Sequence, residues 1–167
     1  KELDMEAYER LEVEFGKWAG MENMVVCSSG TAALHLALES LRLPPGSEVI
    51  VPTMTMIACP RAVTLAGLTP VFVDCKEDLL ADYSLVRPQD AEKVGALMLV
   101  HIYGRRCGGT HGWWLTLENG VKVVEDLAEA HGVKPHPDTD AACWCLPKDS
   151  VLIRDTGVRC RIKDIEV

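Results

Sequence analysis

Residues 96 to 100, Ala-Leu-Met-Leu-Val, form an unbroken apolar run. A run of this kind marks a strand buried on both faces, and such strands belong to mainly parallel sheets covered by helices. Val121 to Val124 reads as a second buried strand, and Met24–Cys27, Glu48–Val51 and Val71–Val73 as further short ones. Between them the spacing predicts helices over 4–19, 31–41 and 56–66. On the first, Tyr8, Leu11, Phe15 and Trp18 recur at three- and four-residue steps and make one apolar stripe. Asp4 reads as its N-cap, and Gly20 and Gly67 as helix stops. Residues 77 to 90 read as irregular and 111 to 119 as a weak helix. Strands alternating with helices mean βαβ units, so the expectation is an α/β domain whose ligands collect at the carboxyl ends of the strands.

The 167 residues suffice for one domain with a real core, or for one domain and a small appendage. Asp plus Glu outnumber Lys plus Arg by 25 to 17, a formal charge of -8 with no basic cluster, which argues against nucleic acid as a partner. No apolar run is long enough to cross a bilayer. Charges throughout the first twenty residues exclude a signal peptide. The expected location is the cytoplasm, and the opening Lys1 points to a trimmed or partial chain. Seven cysteines are an odd number, and no Cys-x-x-Cys pair suggests zinc or a redox couple. They read as small hydrophobes in a reduced protein, and no metal site is expected.

Two segments carry candidate chemistry. Ser28-Ser29-Gly30-Thr31-Ala32 leaves a strand and enters a helix, where unpaired N–H groups and the helix dipole suit a phosphate. A plain helix cap accounts for the same residues. Val123-Val124-Glu125-Asp126-Leu127-Ala128-Glu129 delivers Asp126 at a strand's carboxyl end, with Glu129 three residues on. A carboxylate there can pair with a ring nitrogen that must stay protonated. Alternatively Asp126 is an N-cap and Glu129 closes a capping box. His101, also at a strand end, reads as a hydrogen-bonded structural residue.

Taken together, five motifs in order resemble the DegT/DnrJ/EryC1/StrS family of pyridoxal-phosphate (PLP) sugar aminotransferases. They are Ser28-Ser29-Gly30-Thr31-Ala32-Ala33-Leu34, Glu48-Val49-Ile50-Val51-Pro52-Thr53-Met54-Thr55, Ala66-Gly67-Leu68-Thr69-Pro70-Val71-Phe72-Val73-Asp74, Val100-His101-Ile102-Tyr103-Gly104, and Val124-Glu125-Asp126-Leu127-Ala128-Glu129-Ala130-His131-Gly132. The resemblance implies that residues 1–144 are the N-terminal part of a fold type I large domain. It implies that Gly30, Thr31 and Ala32 hold the PLP phosphate, that Asp126 pairs with the pyridine nitrogen, and that Glu129 lies near the phenol oxygen. Met56 matches a position that is usually aromatic and covers the ring, and Arg61 stands where the family has Asn. The implied substrates are a nucleotide-linked keto sugar and an amino donor, glutamate or glutamine. The implied assembly is a homodimer.

The family's Schiff-base lysine is expected about six residues after Trp144, where this chain has Ser150; Lys148 is at the wrong spacing. Instead, Cys145-Leu146-Pro147-Lys148-Asp149-Ser150-Val151-Leu152-Ile153, then Gly157 and Ile162-Lys163-Asp164-Ile165, resembles the N-terminal splicing block of an intein. Residues 145–167 are therefore expected to begin an intein, with Cys145 as its nucleophile. Val151–Arg154 and Val158–Ile165 are expected to form a Hint-like β-hairpin, and the lysine to lie in a downstream half. Two rivals remain: a sugar dehydratase on the same fold, and a truncated binding module without activity.

Overall fold

The computed structural model describes residues 5–21, 23–86, 92–107, 120–146 and 158–161. Helices α1 (Met5–Ala19), α2 (Gly30–Ser40) and α3 (Ala58–Leu65) alternate with strands β1 (Met24–Cys27), β2 (Glu48–Pro52) and β3 (Thr69–Val73). Strands β4 (Val94–Val100), β5 (Lys122–Asp126), β6 (Ala141–Cys145) and β7 (Val158–Arg161) follow. All seven form one sheet in the order β1-β7-β6-β5-β4-β2-β3. Pairings β2–β3, β2–β4, β4–β5 and β5–β6 are parallel, and β7 runs antiparallel to both its neighbours. The α/β sheet expected from the apolar runs is the architecture observed.

The two sheet faces carry different cores, as strand alternation requires. Met98, Val100 and Val124 pack with α2 and α3 through Leu34, Leu38, Ala62 and Val63. Leu97, Leu99 and Val123 face the other way, onto Tyr83 and Val86. Near the amino end, Trp144 is fully buried, and the rings of Phe15 and Trp18 meet it edge-on, with centroids 5.1 and 6.3 Å away. The stripe on α1 thus reaches the sheet through Trp144. No helix among the described residues is long and apolar enough to cross a membrane.

Several boundaries differ from expectation. Helix α3 starts at Ala58, later than residue 56, and leaves Met56 and Ile57 69% and 73% exposed. Strand β3 begins at Thr69, because parallel pairing with β2 starts at Glu48↔Thr69. Strand β6 was not anticipated: Ala141, Ala142 and Cys143 are small rather than β-branched, and burial on both faces selects them. Of the expected hairpin, only Val158–Arg161 is described, and both of its edges are taken, by β6 and β1. Over those residues the sheet stands where hairpin pairing was expected. Asp4, the 111–119 helix, Lys148 and Val151–Arg154 lie outside the described residues.

Gly16 shows how tightly α1 is seated. Its carbonyl accepts a 2.8 Å hydrogen bond from the Met21 amide, and a Cβ there would lie 2.7 Å from the Met21 carbonyl oxygen. Gly16→Ala gains helix propensity but forces backbone apart. It should lower stability by about 1–3 kcal/mol, the usual range for overpacking, read by urea denaturation.

Candidate functional site

At the carboxyl ends of β4 and β5, a cavity of about 260 Å³ opens towards the N-terminus of α2. Gly30, Thr31, Met56, Asp126, Glu129 and Cys145 all line it. Ala32 is not among the lining residues, because its amide donates to the Ser29 side chain at 3.2 Å and closes the helix cap. The cap and the cavity therefore coexist. Ser29 satisfies one amide of the first turn, while Gly30 and Thr31, the first two helical residues, border the cavity. Helix geometry leaves the amides of such residues without partners in the helix.

Asp126 ends β5 and is 7% exposed. Its Oδ1 accepts from the Ala128 amide at 3.0 Å, and its Oδ2 accepts from the Cys59 thiol of α3 at 3.0 Å. Burial pushes its carboxyl above the usual carboxylate range; the bonds from Cys59 and Ala128 and the nearby His101 oppose that, and Glu129 adds to it. A carboxylate placed like this is short of a cationic partner. The first residues of α2, a helix end of the kind that suits an anion, border the same cavity.

The capping-box alternative does not form. Turns, not an α-helix, follow Asp126, and Glu129 accepts instead from the Tyr103 amide at 2.7 Å. Tyr103 sits at φ 54° in the turn after β4, so a left-handed residue aims this amide. His131 Nε2 donates to the Cys145 carbonyl at 2.6 Å and holds the end of β6.

On the opposite sheet face, Glu125 is 1% exposed and serves three donors. His101 Nε2 lies 2.7 Å from Oε2; the His136 amide, at 2.6 Å, and the Thr139 hydroxyl donate to Oε1. His101 Nδ1 accepts from the Cys107 amide at 3.0 Å, so in the neutral ring the proton sits on Nε2 and points at Glu125. His101 is hydrogen-bonded through both ring nitrogens, as expected, and it also borders the cavity. Burial raises the Glu125 carboxyl, but bonds from His101, Thr139 and His136 outweigh it and hold the group below its usual range. Adjacent carboxylates thus shift in opposite directions. Sequence reading missed Glu125, Thr55 and Cys59; an acid directly before Asp126 on a buried strand was the available signal for the first.

The profile of the DegT/DnrJ/EryC1/StrS aminotransferase family matches residues 4–138. GDP-perosamine synthase of Vibrio cholerae is 38% identical over 125 residues, 74% of this chain and 34% of that protein. Among solved structures, Streptomyces venezuelae DesV in complex with a ketimine intermediate superposes with TM-score 0.81 at 32% identity, over 95% of this chain and 44% of that one. The PLP form of Spr1654 from Streptococcus pneumoniae gives TM-score 0.77 at 26% identity, over 96% of this chain and 46% of that one. The chain spans about a third of the length of the curated relatives it matches.

Removing Glu125 leaves three donors without their acceptor. Glu125→Ala should lower stability by about 3–5 kcal/mol in urea denaturation, the usual result of breaking a buried pair. Because the folded carboxyl lies below its unfolded value, its contribution is present above the usual glutamate range and is lost as pH falls through the folded value. Glu125→Gln should flatten that acid limb of the stability curve.

Proposed function

Because the chain belongs to the DegT/DnrJ/EryC1/StrS aminotransferase family, we propose that it is the N-terminal part of the large domain of an enzyme that aminates a nucleotide-linked keto sugar. The cofactor is pyridoxal phosphate. The observation that carries this reading is the buried Asp126 carboxylate sharing one cavity with the start of α2. The residues fit the group: an anion-seeking helix end faces a carboxylate that lacks a cation.

When bound, the cofactor supplies an electron sink for moving an amino group between an amino acid and a sugar carbonyl. The amides of Gly30 and Thr31 and the Thr31 hydroxyl hold its phosphate. Asp126 holds a proton at the ring nitrogen. Glu129, fixed by the Tyr103 amide, stands at the phenol-oxygen side. Met56, which lines the cavity and is largely exposed, would cover a face of the ring. No lysine is among the residues lining the cavity, so the anchoring lysine comes from outside this chain's described residues. Glutamate or glutamine serves as donor, and the complete enzyme is a cytoplasmic homodimer.

The same reading assigns residues 145–167 to the start of an intein. Its support is the resemblance of the segment from Cys145 onward to a splicing block, and a family match that ends at residue 138, before that segment. The Cys145 thiol adds to the Trp144 carbonyl, the Trp144–Cys145 C–N bond breaks, and the thiol proton passes to the released amine. The Trp144 acyl group then passes from the Cys145 sulfur to the hydroxyl of a Ser that opens the downstream half, which frees the Cys145 thiol. Cleavage of the peptide bond between the intein's last residue and that Ser releases the Ser amine, and the acyl group moves from its oxygen to its nitrogen to form the Trp144–Ser amide. Thiolate is the effective nucleophile, so the intein must help to ionise the thiol. Trp144 is buried in the sheet and Cys145 lies on the cavity wall. On this reading the unspliced chain lacks the downstream lysine and is inactive, and the place of β7 between β6 and β1 passes to the downstream half.

Three measurements test these assignments. In the complete enzyme, Asp126→Asn should weaken PLP binding roughly tenfold to a hundredfold, as expected for a lost charge-assisted hydrogen bond. The same variant should raise the melting temperature of the PLP-free protein at neutral pH. Its raised carboxyl gives the folded state more protons than the unfolded one, so stability falls as pH rises from the ordinary aspartate value through the folded one. Unchanged PLP affinity would leave Asp126 as a turn residue only. For the intein, co-expression with the downstream half should give a product reading Trp144 followed directly by Ser, and Cys145→Ala should abolish it. A mature product that retains Cys145 and Leu146 refutes splicing.

A further inference from the structure

Asp126 is held by more than its own strand. Cys59 sits in the first turn of α3 and is fully buried, so its side chain has no solvent to turn to. The Thr55 hydroxyl donates to Cys59 Sγ at 3.1 Å, and Sγ lies 3.0 Å from Asp126 Oδ2. A thiol carries a single proton. With Thr55 donating to the sulfur, that proton goes to the carboxylate. Asp126 Oδ1 is already fixed by the Ala128 amide. The two oxygens are thus tied to different elements, one to the turn after β5 and one to α3. Both Thr55 and Asp126 border the cavity.

We propose that Cys59 is a positioning residue for Asp126: the Thr55–Cys59–Asp126 chain of hydrogen bonds sets the direction in which the carboxylate faces a bound ring nitrogen. The claim rests on the reading of Asp126 as the partner of that nitrogen. A thiol suits the task because it is a weak donor. It fixes the orientation of the carboxylate while leaving most of its negative charge for the cofactor. A neutral donor also keeps α3 from supplying a competing cation. Burial raises the Cys59 thiol far above its ordinary value, and the neighbouring Asp126 charge acts in the same direction, so the proton stays on sulfur.

The test uses the complete protein in PLP-free and PLP-loaded forms. Infrared spectroscopy of the PLP-free protein reads the sulfhydryl stretch, and Cys59→Ser assigns its band among those of the other cysteines. The Cys59 band should lie at the low frequency of a bonded S–H, and should move to the free position in Asp126→Ala. In fluorescence titrations with PLP, Cys59→Val, which keeps the shape and removes the donor, should bind about tenfold more weakly, the scale of one modest hydrogen bond. Cys59→Ser should stay within about threefold of the parent. A Cys59 band that ignores Asp126→Ala, or unchanged affinity in Cys59→Val, overturns the proposal. If Asp126→Ala leaves PLP affinity intact, the reading of Asp126 itself fails and takes this one with it. Should Cys59→Val not fold, the infrared comparison decides alone.

Discussion

The pairing of β4 with β5 is the constraint on which the site depends. Parallel register from Ala96↔Lys122 to Val100↔Asp126 makes both strands end together. The His101 amide then extends the ladder by one bond to the Asp126 carbonyl, at 3.0 Å. A one-residue slip would exchange the two sheet faces. Asp126 would leave the α2–α3 side, and Glu125 would enter it. Apolar residues on both faces of both strands fix the register, so a hydrophobic pattern places a charge.

That placement explains why neighbouring carboxylates behave differently. Glu125 has three donors, which hold its carboxyl below the usual range despite burial. Asp126 has two, one of them a weak thiol, and burial dominates. Glu125 is a structural knot joining the segments after β4 and before β6. Asp126 is a buried, hydrogen-bonded carboxylate whose charge burial disfavours, the kind of local disadvantage that accompanies a binding site.

Much of this was legible in the sequence. The apolar runs at 96–100 and 121–124 and the stripe on α1 announced the sheet and its cover. The strand-end position of Asp126 and the loop at Gly30 were legible too, and both residues border the cavity. What could not be read depends on long-range encounters. Cys59 meets Asp126 across 67 residues, and nothing local distinguishes it from a small core residue. Strand β6 was hidden because Ala141, Ala142 and Cys143 are chosen for the thin space between two faces rather than for strand propensity. The segment Val158–Arg161 has a hairpin-like pattern, yet pairing to β1 and β6 is a property of the whole sheet.

The sheet order also sets a timetable for biogenesis. Of the seven strands, β1 is synthesised first, but among the described residues its sheet neighbour is β7, from Cys27↔Val158 to Met24↔Arg161. These partners stand more than 130 residues apart. Closing so long a loop is entropically slow, and β2 to β6 can assemble locally in the meantime. Nascent β1 therefore waits with an open edge while the rest of the sheet condenses, which is the state most exposed to mispairing with other chains. Whatever polypeptide supplies the strand between β1 and β6 is thus the clasp that completes the domain, and the rate of its arrival governs how long the growing chain depends on chaperones.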